Sequence, residues 1–146
     1  MEKNNRDIQK DIVYLNIAKE IASLSYCVRK QVGCIIVKNE NIISTGFNGT
    51  PTGMNNCCEN SEDGETLWYV LHAESNAITK LAKSTQNCDN ATLYITLSPC
   101  KNCSKLILQS GIKRIVMLNK HSCQEGIEFL KEQGIICEYI SELINL

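Results

Sequence analysis

The sequence has little excess charge of either sign. Its 15 Lys and Arg residues stand against 16 Asp and Glu, a formal net charge of −1 over 146 residues. A protein that lives on RNA or DNA ordinarily carries a basic surface that replaces phosphate counterions. The balance therefore argues against a nucleic-acid partner and for a small substrate. No apolar run approaches the roughly 20 residues of a membrane span, and the opening MEKNNRDIQKDIVYLN lacks the apolar core of a secretion signal. The expectation is a cytoplasmic protein without a membrane partner. Proline and histidine occur only twice each, and aromatic residues make up 5%. Cysteine is the exception, with nine residues. An odd number without an export signal reads as reduced thiols and metal ligands rather than a disulfide scaffold.

A chain of this length with 43% hydrophobic residues suits one domain, residues 1–146, that buries about two-thirds of its unfolded surface. Ile8, Ile12, Leu15, Ala18 and Ala22 recur at helical spacing within 7–25. VGCIIVK (32–38) and NIISTGFN (41–48) read as strands of a hairpin joined at Asn39-Glu40. Residues 49–71, with Gly, Pro, Asn and the adjacent Cys57-Cys58, read as one long loop, a length that usually accompanies function or disorder. Beyond it the pattern alternates: helix 73–84, strand 92–97, helix 99–110, strand 113–119, helix 123–133, strand 135–140. Gly111 and Gly134 fall where helix C-caps belong. An opening antiparallel hairpin followed by β-α alternation predicts a mixed sheet of about five strands in a three-layer α/β/α sandwich.

Two short stretches carry chemistry. In SPCKNC (98–103), Ser98 suits an N-cap and Pro99 the first helical position, which puts Cys100 and Cys103 on one face of a first turn. The positive end of the helix dipole stabilises thiolates there. Alone, this Cys-x-x-Cys fits a redox pair, half of a structural zinc site or a coincidence of capping. In LHAE (71–74), His72 and Glu74 are two residues apart, about 200° around a helix side. They can share a partner only beyond a helix end. Both stretches therefore call for helix N-termini that converge, with His72, Cys100 and Cys103 as three metal ligands. A catalytic zinc keeps its fourth position for water, whereas a structural one wants a fourth ligand. Glu74 discriminates, because a carboxylate beside the metal but not on it can move protons. His-x-Glu followed by Pro-Cys-x-x-Cys is the signature of zinc nucleobase deaminases.

From about residue 10 to 140 the chain resembles the cytidine and deoxycytidylate deaminase superfamily, and within it the branch acting on deoxycytidylate. HAE (72–74) and PCKNC (99–103) carry the superfamily likeness; RKQVGCIIV (29–37) and GFNGTPTGMNNCCE (46–59) carry the narrower one. The resemblance implies a cytidine deaminase-like fold and zinc-dependent hydrolysis of dCMP to dUMP. It also implies a homo-oligomer, commonly a hexamer, activated by dCTP and inhibited by dTTP. It assigns His72, Cys100 and Cys103 to zinc and Glu74 to proton transfer. Asn48 would bond the substrate sugar, and the Ala73 N–H would meet the pyrimidine oxygen. Gly46, Phe47, Asn48 and Gly49 would belong to the effector segment.

Arg29 and Thr50 are candidates for the 5′-phosphate, whereas Lys30 reads as a solvated charge. Some relatives hold a second, structural zinc with Cys and additional His residues. Here no His lies among residues 1–71, which argues against that site, although Cys27, Cys57 and Cys58 remain. His121 stands where relatives often carry Tyr, which argues against aromatic stacking; taken alone, it reads as a surface residue. Rival readings are the same chemistry on cytidine, dCTP, a riboflavin precursor or adenosine in tRNA, a zinc-stabilised binding module, or a Cys-x-x-Cys oxidoreductase.

Overall fold

The computed structural model describes residues 3–144. The elements in chain order are α1 (Asn5–Ala22), β1 (Gly33–Lys38), β2 (Asn41–Phe47) and α2 (Ala73–Lys80), the last continued by a 3₁₀ turn at Leu81–Lys83. There follow β3 (Thr92–Leu97), α3 (Lys101–Ser110), β4 (Arg114–Asn119), α4 (Glu125–Glu132), β5 (Ile136–Tyr139) and α5 (Ile140–Ile144). The five strands form one sheet in the order β2-β1-β3-β4-β5. β1 is antiparallel to both β2 and β3, while β3, β4 and β5 are parallel. The predicted mixed sheet and α/β fold are thus observed. The predicted strand 135–140 gives up its last residue to α5. That helix is five residues long, too short to show a helical period in sequence.

Alternation along the strands divides the core into two layers. Cys34 and Ile36 of β1, Leu93 and Ile95 of β3, and Ile115 and Met117 of β4 pack under α2, α3 and α4. Ile35, Val37, Tyr94 and Val116 point the other way, onto Leu15 and Ala18 of α1 and Ile140 and Leu143 of α5. Burial on both faces explains why β1 and β3 read as continuous apolar runs. The hairpin turn places Asn39 and Glu40 at φ 51° and 64°, the two positive φ values of the tight turn that matches strand twist. Lys10 of α1 pairs with Glu40.

Charge is also buried on the α1 side. The Asp11 carboxylate, 2% exposed, accepts a two-pronged hydrogen bond from Arg114 at 2.8 and 2.6 Å and another from the Tyr94 hydroxyl at 2.7 Å. Arg114 also reaches Glu138 at 2.8 Å, so helix, central strands and edge strand share one polar cluster. Burial pushes the Asp11 carboxyl up to about 6, against the Tyr94 hydrogen bond, which pulls it down. Arg114→Met should cost about 3–5 kcal/mol, because it removes the two-pronged partner of a buried carboxylate and leaves only the Lys3 ammonium, 3.2 Å from Asp11 Oδ2, as a cationic partner among the described residues. A carboxyl whose pKa is raised by folding holds its proton more tightly when folded, so its contribution to stability is lost as pH rises through the folded value. Without the guanidinium the Asp11 carboxyl rises further, so the loss in Arg114→Met should be greatest at alkaline pH, shrink as pH falls towards about 6 and level off below it, which urea midpoints across pH would show.

Candidate active site

α2 and α3 begin next to each other. His72 is the N-cap of α2, extended at φ −73° and ψ 160°, and its side chain makes no cap hydrogen bond. Cys100 is the N-cap of α3, extended at φ −75° and ψ 172°, and it too leaves its side chain off the cap. Each freed side chain turns to the other. His72 Nδ1 lies 3.6 Å from Cys100 Sγ and 3.3 Å from Cys103 Sγ.

The sequence reading put Ser98 at the cap and Pro99 at the first helical position; the helix instead starts at Lys101. Ser98 is 2% exposed, and its hydroxyl accepts hydrogen bonds from His121 N–H at 2.7 Å and Gln124 Nε2 at 3.4 Å. A hydroxyl committed to the β4–α4 loop cannot also cap α3.

The ligand atoms of His72, Cys100 and Cys103 all lie within 4.8 Å of one another, and no fourth His, Cys, Asp or Glu joins the group among the described residues. Zinc holds imidazole nitrogen at about 2.0 Å and thiolate at about 2.3 Å, which puts tetrahedral N and S ligands about 3.6 Å apart. The observed separations and the one-nitrogen, two-sulfur donor set fit that ion. With no cation between them, the two neighbouring thiols do not both ionise. Hydrogen bonds from Cys103 and then His72 pull the Cys100 thiol down to about 3, while the Cys103 thiol, hydrogen-bonded to Cys100 and buried, is pushed well up. His72 is raised, chiefly by its hydrogen bond to Cys100.

Glu74 follows His72 by two residues in α2 and is 4% exposed. Burial is the largest influence on its carboxyl and raises it. His72, Ala73, Glu74 and Cys100 line a cavity of about 230 Å³, which also meets Arg29, Lys30, Asn48, Glu59 and His121. It opens where β3 and β4 end and helices follow, the usual crevice of parallel sheets.

Comparison with known proteins agrees with this geometry. Residues 8–119 match the family described as the cytidine and deoxycytidylate deaminase zinc-binding region. The chain belongs to the cytidine and deoxycytidylate deaminase family. It is 35% identical to the deoxycytidylate deaminase of Saccharomyces cerevisiae over 140 residues, covering 90% of this chain and 45% of that protein. It is also 35% identical to the deoxycytidylate deaminase of Enterobacteria phage T4, covering 70% of this chain and 74% of that one. The chain thus spans less than half of the yeast relative's length. In structure it is similar to dCMP deaminase from the cyanophage S-TIM5, solved with dCMP and dUMP, at a TM-score of 0.87 and 41% identity, covering 94% of this chain and 99% of that one.

Within this deaminase fold the other expected residues divide. Asn48, Ala73 and Arg29 line the cavity, whereas Thr50 does not. The Arg29 guanidinium is paired with Glu65 at 2.9 Å. Asn48 Oδ1 accepts from Val32 N–H at 2.8 Å and its Nδ2 donates to Lys30 O at 2.8 Å. Its own carbonyl accepts from Ser25 Oγ at 2.8 Å. Asn48 is therefore the peg on which the 25–32 loop hangs. Lys30 and His121, read from sequence as solvated or surface residues, stand on the cavity, as does Glu59, which the sequence did not single out. Glu59 Oε1 accepts from the Val28 and Arg29 N–H groups at 2.7 and 3.0 Å.

The thiols need a correction as well. Cys27 and Cys58 form a disulfide across 31 residues, where reduced thiols or a second metal site had been the alternatives. Bonded to each other, they offer no ligands, and Cys57 is left exposed and free. The bond ties the 25–32 loop to the long loop and puts Cys27 on the cavity wall.

The segment Gly46–Gly49 contains two glycines with opposite demands. A Cβ on Gly46 would meet Ala73 O at 2.2 Å and Ala77 N at 2.7 Å, both backbone atoms of α2. Gly49 has open space around its Cβ position. Gly46→Ala should push α2 off β2, at a cost on the order of 1–3 kcal/mol, and displace His72 and Glu74. Gly49→Ala should leave both intact. Thermal melts and zinc content per chain for the two variants measure this directly.

Proposed function

We propose that this chain catalyses the zinc-dependent hydrolytic deamination of dCMP to dUMP and ammonia. The observation that carries the reading is a buried carboxyl, Glu74, on the same cavity as an incomplete trio of metal ligands. A structural site has no use for such a group. The complex of the cyanophage relative with dCMP and dUMP supports this substrate over cytidine, dCTP or a tRNA adenosine.

His72, Cys100 and Cys103 would hold the zinc, which lowers the pKa of water from about 15.7 towards neutrality. Glu74 takes a proton from the attacking water and delivers it to cytosine N3, which leaves C4 electron-poor. The water oxygen bonds to C4, and the same carboxyl then takes the second proton from that hydroxyl and passes it to the amino group, so that ammonia departs as the C4–N bond breaks and the C4 carbonyl forms. Being buried, it meets no competing bulk water while it carries the proton. The Ala73 N–H, at the first residue of α2, would hold the pyrimidine oxygen. Asn48 contributes by fixing the 25–32 loop, and its second amide N–H is left for the sugar.

The same reading carries activation by dCTP and inhibition by dTTP, with Gly46, Phe47, Asn48 and Gly49 coupling an effector to α2, and a cytoplasmic homo-oligomer, a hexamer by family habit. Tyr26, Val28 and Trp68, which are 66%, 86% and 92% exposed, are surfaces that a second copy would cover.

Glu74→Gln should keep one zinc per chain and lose roughly 10²–10⁴-fold in ammonia release from dCMP. Zinc analysis alongside an ammonia assay on dCMP, cytidine and dCTP decides the matter. Full activity in the zinc-loaded variant, or faster turnover of cytidine, would refute the assignment.

A further inference from the structure

We infer that His121 is a specificity residue: its Nε2–H donates a hydrogen bond to the 5′-phosphate of the substrate, beside the Lys30 ammonium. The inference rests on the deoxycytidylate reading above and says which groups recognise the nucleotide as opposed to the nucleoside.

His121 is not held like a surface histidine. It lies two residues beyond β4 and lines the cavity with His72, Ala73, Glu74 and Cys100. Its backbone N–H donates to the buried Ser98 hydroxyl at 2.7 Å, and its carbonyl accepts from Gln124 Nε2 at 2.6 Å. Gln124 is itself fixed, because its Oε1 accepts from the Tyr139 hydroxyl at 2.8 Å. Ser98 directly precedes Pro99-Cys100, so the loop bearing His121 is in register with the chain that carries two of the metal ligands.

The ring is fixed too. Its Nδ1 lies 3.0 Å from the Cys123 backbone nitrogen. A backbone N–H can only donate, so Nδ1 accepts and the single proton of the neutral imidazole sits on Nε2. The tautomer is set by the backbone before any ligand arrives. The result is a positioned donor with no protein acceptor among the hydrogen bonds of the described residues.

The cavity has few other groups for a dianion. Glu74 belongs to the reacting end. Glu59 is a carboxylate, with one oxygen already engaged by two backbone N–H groups. The Arg29 guanidinium is turned to Glu65. Lys30 lines the cavity and makes no ion pair among the described residues. Outside the metal trio, the Lys30 ammonium and the His121 Nε2–H are the cavity's charged or imidazole donors without a protein partner among the described residues. A phosphate is the strongest acceptor in the substrate, and hydrogen bonds to a charged group are the ones worth most.

The test compares two amides at position 121 in the zinc-loaded protein. In His121→Asn the side-chain oxygen can still accept from Cys123 N–H, but the amide nitrogen cannot reach as far as Nε2. In His121→Gln the nitrogen reaches further. The quantity measured is the ratio of kcat/KM for dCMP to that for deoxycytidine. The same comparison is made with the products, dUMP against deoxyuridine, as competitive inhibitors, so that a nucleoside too poor to turn over still reports. His121→Asn should lower the ratio roughly ten- to a hundredfold, through KM for dCMP, and His121→Gln should recover part of it. An unchanged ratio, or an equal loss on nucleotide and nucleoside, overturns the His121 assignment alone. A wild-type protein that deaminates neither substrate overturns the deoxycytidylate reading, and this inference with it.

Discussion

The site depends on two helices that start at one place, each with a cap residue that does not cap. An N-cap usually uses its side chain to satisfy a backbone donor of the first turn. His72 and Cys100 adopt the extended backbone of that position and direct their side chains across to each other. The helix ends then add a favourable field for thiolates and for a metal-bound anion. Because α2 lies on β2 through the missing side chain of Gly46, and α3 follows β3 after a three-residue link, the distance between the caps is set by the sheet.

Around that fixed point the cavity is walled by loops that are individually tied down. The 25–32 loop hangs on Asn48 through hydrogen bonds to both ends of its amide and to its carbonyl, and the Cys27–Cys58 bond joins it to the long loop. The β4–α4 loop is held by Ser98. A long segment without regular structure would ordinarily carry a large ordering entropy. Here a disulfide, an antiparallel bridge between Gly49 and Leu71, and another between Glu59 and Thr66 limit its freedom. Pre-ordering of this kind lets polar groups meet a ligand without first being rearranged.

Most of the fold was legible because its signals are local. β3 spans the predicted residues, the hairpin turns at Asn39-Glu40, and Gly111 and Gly134 have the left-handed φ values of 95° and 87°. Each of these follows from side-chain period or from the sterics of a single residue. Ser98 was misread because its sequence position suits a cap, while its hydroxyl answers to a loop more than twenty residues away. Lys30 reads as a solvated charge and His121 as a surface residue for the same reason: nothing within a few residues of either says that it faces a cavity. The pairing of Cys27 with Cys58 is likewise invisible in sequence, since nine cysteines permit many partners.

The sequence by itself determined all five strands and most of the helices, and singled out His72, Cys100 and Cys103, which the structure brings together, with Glu74 two residues on. Helix caps, apolar period and ligand spacing are written within windows of a few residues, and His72-x-Glu74 with Cys100-x-x-Cys103 admits few other chemistries. Only the tertiary structure decided which of the scattered polar residues look into the cavity and which are already committed to the backbone. That depends on how the β2–α2 and β4–α4 connections fold back over the strand ends, and contacts between segments 20 to 70 residues apart leave no mark on local sequence.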